Sequence, residues 1–352
     1  MKRTVVLKDA SFLKHIIEPG HPESPQRLES IYAMLSEPDM AGLYDVLAPR
    51  QATRDELALT HTPAYIERIA ATAGRQPVRL DPDTGTSEGS WDAAILAAGA
   101  VLDGIDLVMS NRAANGFALV RPPGHHAESD RAMGFCLFNN VAIGAQYLVH
   151  KHKLERVLVI DWDIHHGNGT QHSFYGDPKV LYFSTHQYPY YPGTGAIEEV
   201  GDMAGRGYTV NVPLPGGQGD SDYRYIFSDL LLPLARAYKP EFVLVSAGYD
   251  IFAHDPLGTM EVTPRGFYTL TRMVRNMAEE LCGGRLLFTL EGGYHVAGIT
   301  DSVKQTLLGL AYRDAEGETV EELQEHHGVL PVTLSLVEKV KKAQATFWPV
   351  FT

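Results

Sequence analysis

Residues 157 to 169 read Val-Leu-Val-Ile-Asp-Trp-Asp-Ile-His-His-Gly-Asn-Gly, an apolar run that leads directly into acids and imidazoles. A short, β-branched apolar run of this kind predicts a buried strand. Alternate residues of an extended chain share a face, so Asp161, Asp163 and His165 can point the same way. That spacing indicates two carboxylates and one imidazole around one divalent cation. The alternative is a polar loop whose acids cap a helix and whose histidines bond to the backbone.

The rest of the chain alternates short apolar runs with longer segments of helical period, which is typical of a parallel sheet covered by helices. Predicted strands run from Phe117 to Val120, Val157 to Ile160, Val180 to Ser184, Phe242 to Ser246 and Leu286 to Leu290. Predicted helices run from Trp91 to Val108, Asn140 to Lys151, Asp222 to Tyr238, Thr263 to Leu281, Thr300 to Ala311 and Val332 to Phe347. The acidic stretch from Asp314 to Glu325 is interpreted as a solvated surface connection. We therefore expect an α/β fold with a central, mainly parallel sheet.

Three further polar segments follow predicted strands. Asp250 ends the run Ala-Gly-Tyr-Asp, His125 and His126 end Arg-Pro-Pro-Gly-His-His, and Tyr294 ends Glu-Gly-Gly-Tyr. In an open parallel sheet, ligands bind along the edge where the strands have their carboxyl ends. We therefore expect these segments to form one site with residues 161 to 165. Two carboxylates and one imidazole leave a coordination position open for water, as a catalytic zinc requires.

Charge and cysteine content restrict the class of protein. The 352 residues carry 30 Lys plus Arg against 43 Asp plus Glu, a formal charge of −13, which argues against a nucleic-acid-binding surface. Two cysteines, Cys136 and Cys282, suit a reducing compartment and nearly exclude a structural zinc site held by thiolates. The longest apolar run, Ala93 to Leu102, is well short of the roughly 18 residues that span a bilayer. Charged residues interrupt the amino terminus, so we expect no signal peptide, no membrane partner and a cytoplasmic location.

A competing motif lies at residues 85 to 89, Gly-Thr-Ser-Glu-Gly, which fits the G-x-S-x-G pattern of a serine nucleophile. That motif requires a strand directly before the serine, whereas residues 80 to 84 are polar and turn-like. We interpret the match as chance. The sequence also lacks G-x-G-x-x-G, G-x-x-x-x-G-K-[ST] and H-E-x-x-H, the signals for nucleotide-dependent chemistry and for zincins.

Together, the motifs resemble the histone deacetylase family of the arginase-deacetylase superfamily. The matching segments cover roughly residues 20 to 310 in family order: Arg121-Pro-Pro-Gly-His-His126, Gly134-Phe-Cys136, Phe138-Asn-Asn140, Asp161-Trp-Asp-Ile-His-His-Gly-Asn-Gly-Thr-Gln171, Pro192-Gly-Thr-Gly195, Ala247-Gly-Tyr-Asp250, Asp255-Pro256 and Glu291-Gly-Gly-Tyr294. The Asp-Trp-Asp start and Asn168 resemble the class II, bacterial-type branch, since class I enzymes usually carry aspartate at the Asn168 position. The resemblance implies one deacetylase domain over residues 1 to 352, a three-layer sandwich with a C-terminal helical segment from about 313 to 352.

The resemblance further implies a zinc-dependent amidohydrolase that removes acyl groups from lysine or a similar amine. It implies one zinc ion per chain, held by Asp163, His165 and Asp250. His126 would act as general base and then as general acid, with His125 as its electrostatic neighbour. The remaining catalytic roles are orientation of His125 by Asp161, orientation of His126 by Asn168, and a hydrogen bond from Tyr294 to the acyl oxygen.

A substrate tunnel and structural potassium are also implied by the resemblance. The expected substrate-binding residues are Gly134, Phe135, Tyr191, Leu257 and Gly293, with Arg27 beneath the site. One potassium ion is expected near Asp161, Asp163, His165, Ser184 and Thr185, and another at the backbone of Phe174, Asp177, Val180 and Tyr208. Tyr191 departs from the usual tunnel phenylalanine and places a hydroxyl where an apolar wall is typical.

The substrate remains open between acyl-lysine peptides or proteins and acylated polyamines. Both are cationic, so a charge of −13 does not choose between them. Polyamine-selective class II relatives carry a glutamate after the Asp-Pro pair, whereas Leu257 follows Asp255-Pro256 here. We therefore expect acyl-lysine peptides to be preferred, unless Asp83 or Glu88 supplies polyamine recognition. Two other readings are an acyl-lysine binder without hydrolysis, which Tyr294 opposes, and an arginase-like di-manganese enzyme. The sequence leaves homo-oligomerisation, acyl-chain length and the choice of zinc or iron open.

Overall fold

A computed structural model describes residues 3 to 311 and 328 to 352. The strands are β1 (Thr4–Leu7), β2 (Tyr44–Leu47), β3 (Val78–Arg79), β4 (Gly85–Thr86), β5 (Asn115–Ala118), β6 (Val157–Asp161), β7 (Val180–Gln187), β8 (Thr209–Leu214), β9 (Phe242–Ala247) and β10 (Leu286–Leu290). Eight of them form one sheet in the order β2-β1-β5-β10-β9-β6-β7-β8, and every neighbouring pair is parallel. β3 and β4 form a separate antiparallel hairpin.

The helices cover both faces of this sheet. They are α1 (Gln26–Met34), α2 (Arg54–Leu57), α3 (Pro63–Ala70), α4 (Ser90–Met109), α5 (Asn140–His150), α6 (Asn168–Phe174), α7 (Asp220–Ile226), α8 (Leu232–Tyr238), α9 (Pro264–Cys282), α10 (Val296–Ala311) and α11 (Pro331–Gln344). α4 packs on α5 and on β5, whereas α10 packs on α1, on α9 and on the same β5. In β10, Leu287 lies against Gly104 of α4, whereas the next residue, Phe288, points to the other face and packs on Phe117. On that face Phe117 stacks on Tyr249, whose hydroxyl bonds to Thr306 of α10, so the sheet has helices on both faces and the chain has three layers. The predicted α/β fold with a parallel central sheet is confirmed.

All five predicted strands are present; Leu286–Leu290 has the predicted bounds, and the other four are shifted. The strand predicted from Phe117 begins at Asn115, and the one predicted to end at Ser184 continues to Gln187. Sequence reasoning missed β1, β2 and β8. β1 and β2 have only four residues each, and β8 contains Pro213, which is tolerated there because β8 is at the edge of the sheet.

The predicted helices are also present, again with different bounds. Residues 222 to 238 were predicted as one helix, but α7 and α8 are joined by a π-helical turn at Phe227–Leu231. α9 starts as expected, because the Thr263 hydroxyl accepts a hydrogen bond from Gly266 N–H. α10 begins four residues before the predicted Thr300, and α11 covers most of the predicted terminal helix. The acidic stretch from Asp314 to Glu325 lies outside the described residues.

The sheet order brings the four polar segments together. β5, β10, β9 and β6 are successive strands, and their carboxyl ends lie at one edge of the sheet. The strands themselves are buried, so the chain segments that leave them carry the polar groups. In residues 3 to 311 and 328 to 352, none of the helices combines the length and apolar character needed to cross a membrane.

Candidate active site

The three side chains predicted to hold a divalent cation lie together beyond β6 and β9. One ligand atom each from Asp163, His165 and Asp250 falls within a 4.8 Å cluster. His165 Nδ1 is 3.2 Å from Asp163 Oδ1 and 3.3 Å from Asp250 Oδ2. Asp250 Oδ2 is buried, and apart from this contact with His165 it makes no well-aligned hydrogen bond among the described residues. A buried carboxylate oxygen of this kind needs a cation, and the donor set of one nitrogen and two carboxylates suits zinc.

Backbone N–H groups fix the other carboxylate oxygens. Asp163 Oδ2 accepts a hydrogen bond from Gly292 N–H at 2.8 Å, and Asp250 Oδ1 accepts one from Ile164 N–H at 2.9 Å. A Cβ atom at Gly292 would lie 2.2 Å from Asp250 Oδ2, so this position has no room for a side chain. Burial and the adjacent charge of Asp163 raise the pKa of Asp250 to about 7. A bound cation would favour the ionised carboxylate in such a site.

Two histidines stand side by side next to this cluster, and each has a different partner. His125 Nδ1 is 3.1 Å from Asp161 Oδ2, whereas His126 Nδ1 is 2.8 Å from Asn168 Oδ1. The two ring centroids are 4.0 Å apart. Asp161 Oδ2 also accepts a hydrogen bond from the Tyr182 hydroxyl at 2.9 Å. The structure thus pairs one imidazole with a carboxylate and the other with an amide.

The different surroundings of the two imidazoles separate their protonation states. Burial disfavours the charged form of His125, but the carboxylates of Asp163 and Asp161 outweigh it and raise its pKa to about 10. Burial, together with the charges of His125 and His165, lowers the pKa of His126 well below its ordinary value. His126 is therefore neutral near pH 7, with one ring nitrogen able to accept a proton.

Glu291, at the end of β10, links this strand to the histidine loop. Its carboxylate accepts hydrogen bonds from Gly124 N–H at 2.7 Å, His125 N–H at 3.2 Å and the Ser246 hydroxyl at 2.9 Å. Sequence reasoning included Glu291 in a motif but gave it no role. The buried side chain holds the loop that carries both imidazoles.

Arg27, which the resemblance implies to lie beneath the site, contacts the segment that carries Tyr294. Its guanidinium donates to the carbonyl oxygens of Gly293 and Glu291, both at 2.6 Å, and lies 5.0 Å from the centroid of the Tyr294 ring. Asp255 Oδ2 accepts a hydrogen bond from Tyr294 N–H at 2.6 Å. Burial raises the pKa of Tyr294 well above its ordinary value, so the phenol keeps its proton and can donate it in a hydrogen bond.

Aromatic rings lie next to the site, and two of them, Phe135 and Tyr191, belong to residues expected to line a substrate tunnel. Phe135 meets Tyr294 edge to face at 5.8 Å between centroids, and Tyr191 meets His126 in the same way at 5.1 Å. Gly134 has φ of +57°, and a Cβ atom there would lie 2.3 Å from the His126 ring. Only glycine fits this position without strain.

Sequence reasoning missed the β3–β4 hairpin. Its side chains hold the backbone of Gly134 and Phe135, the expected tunnel wall. The Asp83 carboxylate accepts a hydrogen bond from Gly134 N–H at 3.2 Å, and the Thr84 hydroxyl accepts one from Phe135 N–H at 2.9 Å. Asp83 is half-buried, whereas Glu88 is exposed. Of the two acids considered for polyamine recognition, Asp83 is therefore the one that contacts the wall.

Leu257 is half-buried, and its backbone forms hydrogen bonds with two residues next to the site. Its N–H donates to Asp255 Oδ1 at 2.9 Å, and its carbonyl accepts from the Tyr190 hydroxyl at 3.2 Å. The Tyr190 ring stacks on His165 at 5.6 Å between centroids. Sequence reasoning also missed Tyr190, because an exposed tyrosine in a loop has no distinguishing local pattern.

Comparison with known proteins agrees with this geometry. The family model of the histone deacetylase domain matches residues 21–310. The chain belongs to the histone deacetylase family. It is 36% identical to a probable deacetylase from Archaeoglobus fulgidus over 99% of both chains. It is 39% identical to the polyamine deacetylase HDAC10 from Homo sapiens over 93% of this chain and 49% of that protein. The crystal structure of the HDA15 HD domain superposes with a TM-score of 0.91 at 39% identity, covering 99% of this chain and 96% of that one.

The residues of this chain that are expected to bind potassium lie on β6, on β7 and in the neighbouring segments. Ser184 is the register partner of Asp161, and Thr185 Oγ1 is buried without a hydrogen-bond partner among the described residues. At the second expected position, the Phe174 carbonyl accepts a hydrogen bond from Asp177 N–H, and the Tyr208 carbonyl accepts one from β7. Val180 is the first residue of that strand.

The residues of the serine motif have other contacts in this deacetylase fold. Ser87 follows the two-residue strand β4, and its hydroxyl donates to the Lys14 carbonyl and accepts from Ile16 N–H, both at 3.0 Å. A nucleophile elbow requires a sharp turn from a sheet strand into a helix. The antiparallel hairpin supports the interpretation of the motif as a chance match.

Proposed function

We propose that this histone deacetylase family member is a zinc-dependent hydrolase of N-acyl amines, with Asp163, His165 and Asp250 as the metal ligands. The observation that carries the proposal is the convergence of one imidazole and two carboxylates in a buried cluster, where Asp250 Oδ2 makes no well-aligned hydrogen bond. When bound, such an ion supplies Lewis acidity, which lowers the pKa of water and polarises a carbonyl. Tyr294 favours hydrolysis over simple binding, because its phenol donates where negative charge would develop.

The protein groups account for the proton transfers of amide hydrolysis. His126 uses Nδ1 toward Asn168, which leaves Nε2 to take a proton from the attacking water as its oxygen bonds to the carbonyl carbon. The Tyr294 hydroxyl donates a hydrogen bond to the acyl oxygen as that oxygen gains charge. When the carbon–nitrogen bond breaks, His126 returns the proton to the leaving amine, so the products are a carboxylic acid and a free amine. The positive charge of His125 favours the negatively charged intermediate.

The metal assignment is tested with Asp250→Ala and, as a control, Asp45→Ala, which removes an exposed acid that pairs with Arg3. Since metal ions stabilise transition states by several kcal/mol, we expect Asp250→Ala to lose metal and about 10³-fold or more in kcat on an acetyl-lysine peptide. Elemental analysis of both variants, and of the chain reloaded with zinc or iron after chelation, measures the content of each metal. Full metal content and full activity in Asp250→Ala would overturn the assignment.

For substrate class, we propose that acyl-lysine peptides have a higher kcat/KM than N-acetylated spermidine or putrescine. The support is Leu257, whose apolar side chain at the expected rim offers no charge-assisted bond to a second ammonium group. A polyamine deacetylase among the relatives and the half-buried Asp83 favour the competing candidate, an acetylpolyamine amidohydrolase. Side-by-side kinetics decide between them. A preference for acetylpolyamine that disappears in Asp83→Ala, but not in Glu88→Ala, would establish the competing candidate.

We also propose structural potassium at the first expected position. The support is the pairing of Asp161 with Ser184 and the buried, unpartnered Thr185 hydroxyl. Unfolding midpoints measured in potassium and in tetramethylammonium chloride at equal ionic strength test this. We expect a higher midpoint in potassium, because an ion that binds only the native state stabilises it. Equal midpoints would contradict the proposal.

A further inference from the structure

The side-chain amide of Asn168 has two different ends, and each faces a different group. Its oxygen accepts from His126 Nδ1 at 2.8 Å. Its nitrogen donates to Glu128 Oε1 at 2.5 Å and to the His126 carbonyl at 3.2 Å. An anionic acceptor and a backbone acceptor therefore both hold the NH₂ end away from the imidazole.

The orientation of this amide determines which nitrogen of His126 carries the proton. With the oxygen toward Nδ1, that nitrogen must be protonated and Nε2 is the acceptor. After a flip, the NH₂ group would face Nδ1, which would then become the acceptor, and a neutral ring would carry its proton on Nε2. A ring in that tautomer cannot accept a proton at Nε2. His125 has no such ambiguity, because both oxygens of the Asp161 carboxylate are acceptors.

Glu128 is suited to hold the amide in the productive orientation. Its side chain is 12% exposed, and both of its oxygens approach His172 Nδ1, at 2.9 and 3.0 Å. Burial disfavours its charge, but His172 and Asn168 outweigh that effect and lower the pKa of Glu128, so it is ionised at neutral pH. A flipped Asn168 would turn its oxygen toward this carboxylate, and the repulsion opposes the flip. Glu128 also faces a cavity of about 240 Å³, and it is not among the residues assigned to the tunnel or the metal cluster.

We propose that Glu128 is a positioning residue that fixes the Asn168 amide and thereby keeps the neutral His126 ring protonated on Nδ1. The proposal rests on the proposed function for its effect on rate, but the tautomer itself is measurable without turnover. Glu128 acts through Asn168, and it therefore affects kcat rather than substrate binding.

The kinetic test exchanges the acid and the amide. We expect Glu128→Ala to lower kcat about 10- to 100-fold, as removal of a supporting partner commonly does, with KM unchanged. We expect Asn168→Asp alone to lower kcat as well, because the new carboxylate would face that of Glu128 at hydrogen-bond distance and the two would repel each other. Combining Asn168→Asp with Glu128→Gln restores one acid and one amide, so we expect kcat to return to within a few-fold of the starting chain. A structural role for Glu128 predicts additive losses instead, and that result would overturn the proposal.

The spectroscopic test measures the ring nitrogens of His126 directly by ¹⁵N NMR of the histidine-labelled protein. We expect the His126 Nδ1 proton in the starting chain and a mixture of tautomers in Glu128→Ala. Gln146→Ala, which alters another wall of the same cavity, should leave the spectrum and kcat unchanged. An unchanged His126 tautomer in folded Glu128→Ala would overturn the proposal, whether or not the protein hydrolyses acyl-lysine. If the proposed function alone fails, the NMR result still stands.

Discussion

The cluster of Asp163, His165 and Asp250 and the expected tunnel wall at Gly134 and Phe135 are neighbouring regions that are held in different ways. The cluster is formed by residues that directly follow strands, and backbone N–H groups of Gly292 and Ile164 hold its carboxylates. The wall at Gly134 and Phe135 is held by side chains of a short hairpin. Strand ends of a buried sheet move little, whereas loops vary and tolerate change. We infer that the cluster determines the reaction and that the wall determines which substrate is accepted.

Tyr294→Phe tests the reaction side of this comparison and has the largest expected effect of the four changes that follow. Removing one donor to a developing oxyanion costs about 10²-fold or more in kcat. We expect little change in KM for an acetyl-lysine peptide, because the hydrogen bond strengthens in the transition state. Steady-state kinetics measure both constants.

The control for that experiment is Tyr44→Phe, which removes a hydroxyl bonded to the Leu35 carbonyl, away from the cluster. It should keep kcat and KM. An unchanged kcat in Tyr294→Phe would show that the phenol has no role in catalysis, and the binder without hydrolysis would regain support.

Asp83→Ala tests the selectivity side. The change removes the acceptor for Gly134 N–H, so the tunnel wall loses one charge-assisted hydrogen bond. We expect KM to rise about 10-fold, equivalent to about 1.4 kcal/mol, with kcat nearly unchanged. Glu88→Ala, an exposed acid five residues away, is the matched control. A fall in kcat with constant KM would place Asp83 with the reaction groups and contradict the comparison.

The same contrast explains what could be predicted from the sequence. Asp163 and His165 follow one buried strand at alternate positions, and Asp250 follows another, so local pattern and the strand-edge rule brought them together. Asp83 and Gly134 are 51 residues apart, and the hairpin that carries Asp83 has two residues per strand. Such short strands have no readable period. Glu128 escaped notice for a related reason, because its partner Asn168 is 40 residues away.

Tyr191→Phe is a finer test of the wall. Tyr191 is 37% exposed and packs edge to face against His126. Removing the hydroxyl makes this wall more apolar. One extra methylene buried against an apolar surface contributes about 0.8 kcal/mol, so we expect the ratio of kcat/KM for butyryl-lysine to that for acetyl-lysine to rise several-fold. Competition between the two acyl peptides measures that ratio. An unchanged ratio would show that the Tyr191 hydroxyl does not limit acyl length.

The smallest effect is expected at His172. This half-exposed residue is the last in a chain of hydrogen bonds that runs from His126 through Asn168 and Glu128. The hydrogen bond to Glu128 raises the pKa of His172, while the side chain remains half-exposed. The pKa of His172 is higher in the folded chain than its value of about 6.5 in the unfolded chain, so its protonation stabilises the fold. This stabilisation is complete below about pH 6.5, and it is lost as the pH rises through the pKa of the folded chain. Because solvent screens the pair, His172→Asn should lower the free energy of unfolding by less than about 1 kcal/mol at pH 6, and by less still at pH 9. Urea unfolding at the two pH values measures the difference, and Glu128→Gln should remove its pH dependence. A loss that is equal at both pH values would show that His172 contributes through packing and not through its charge.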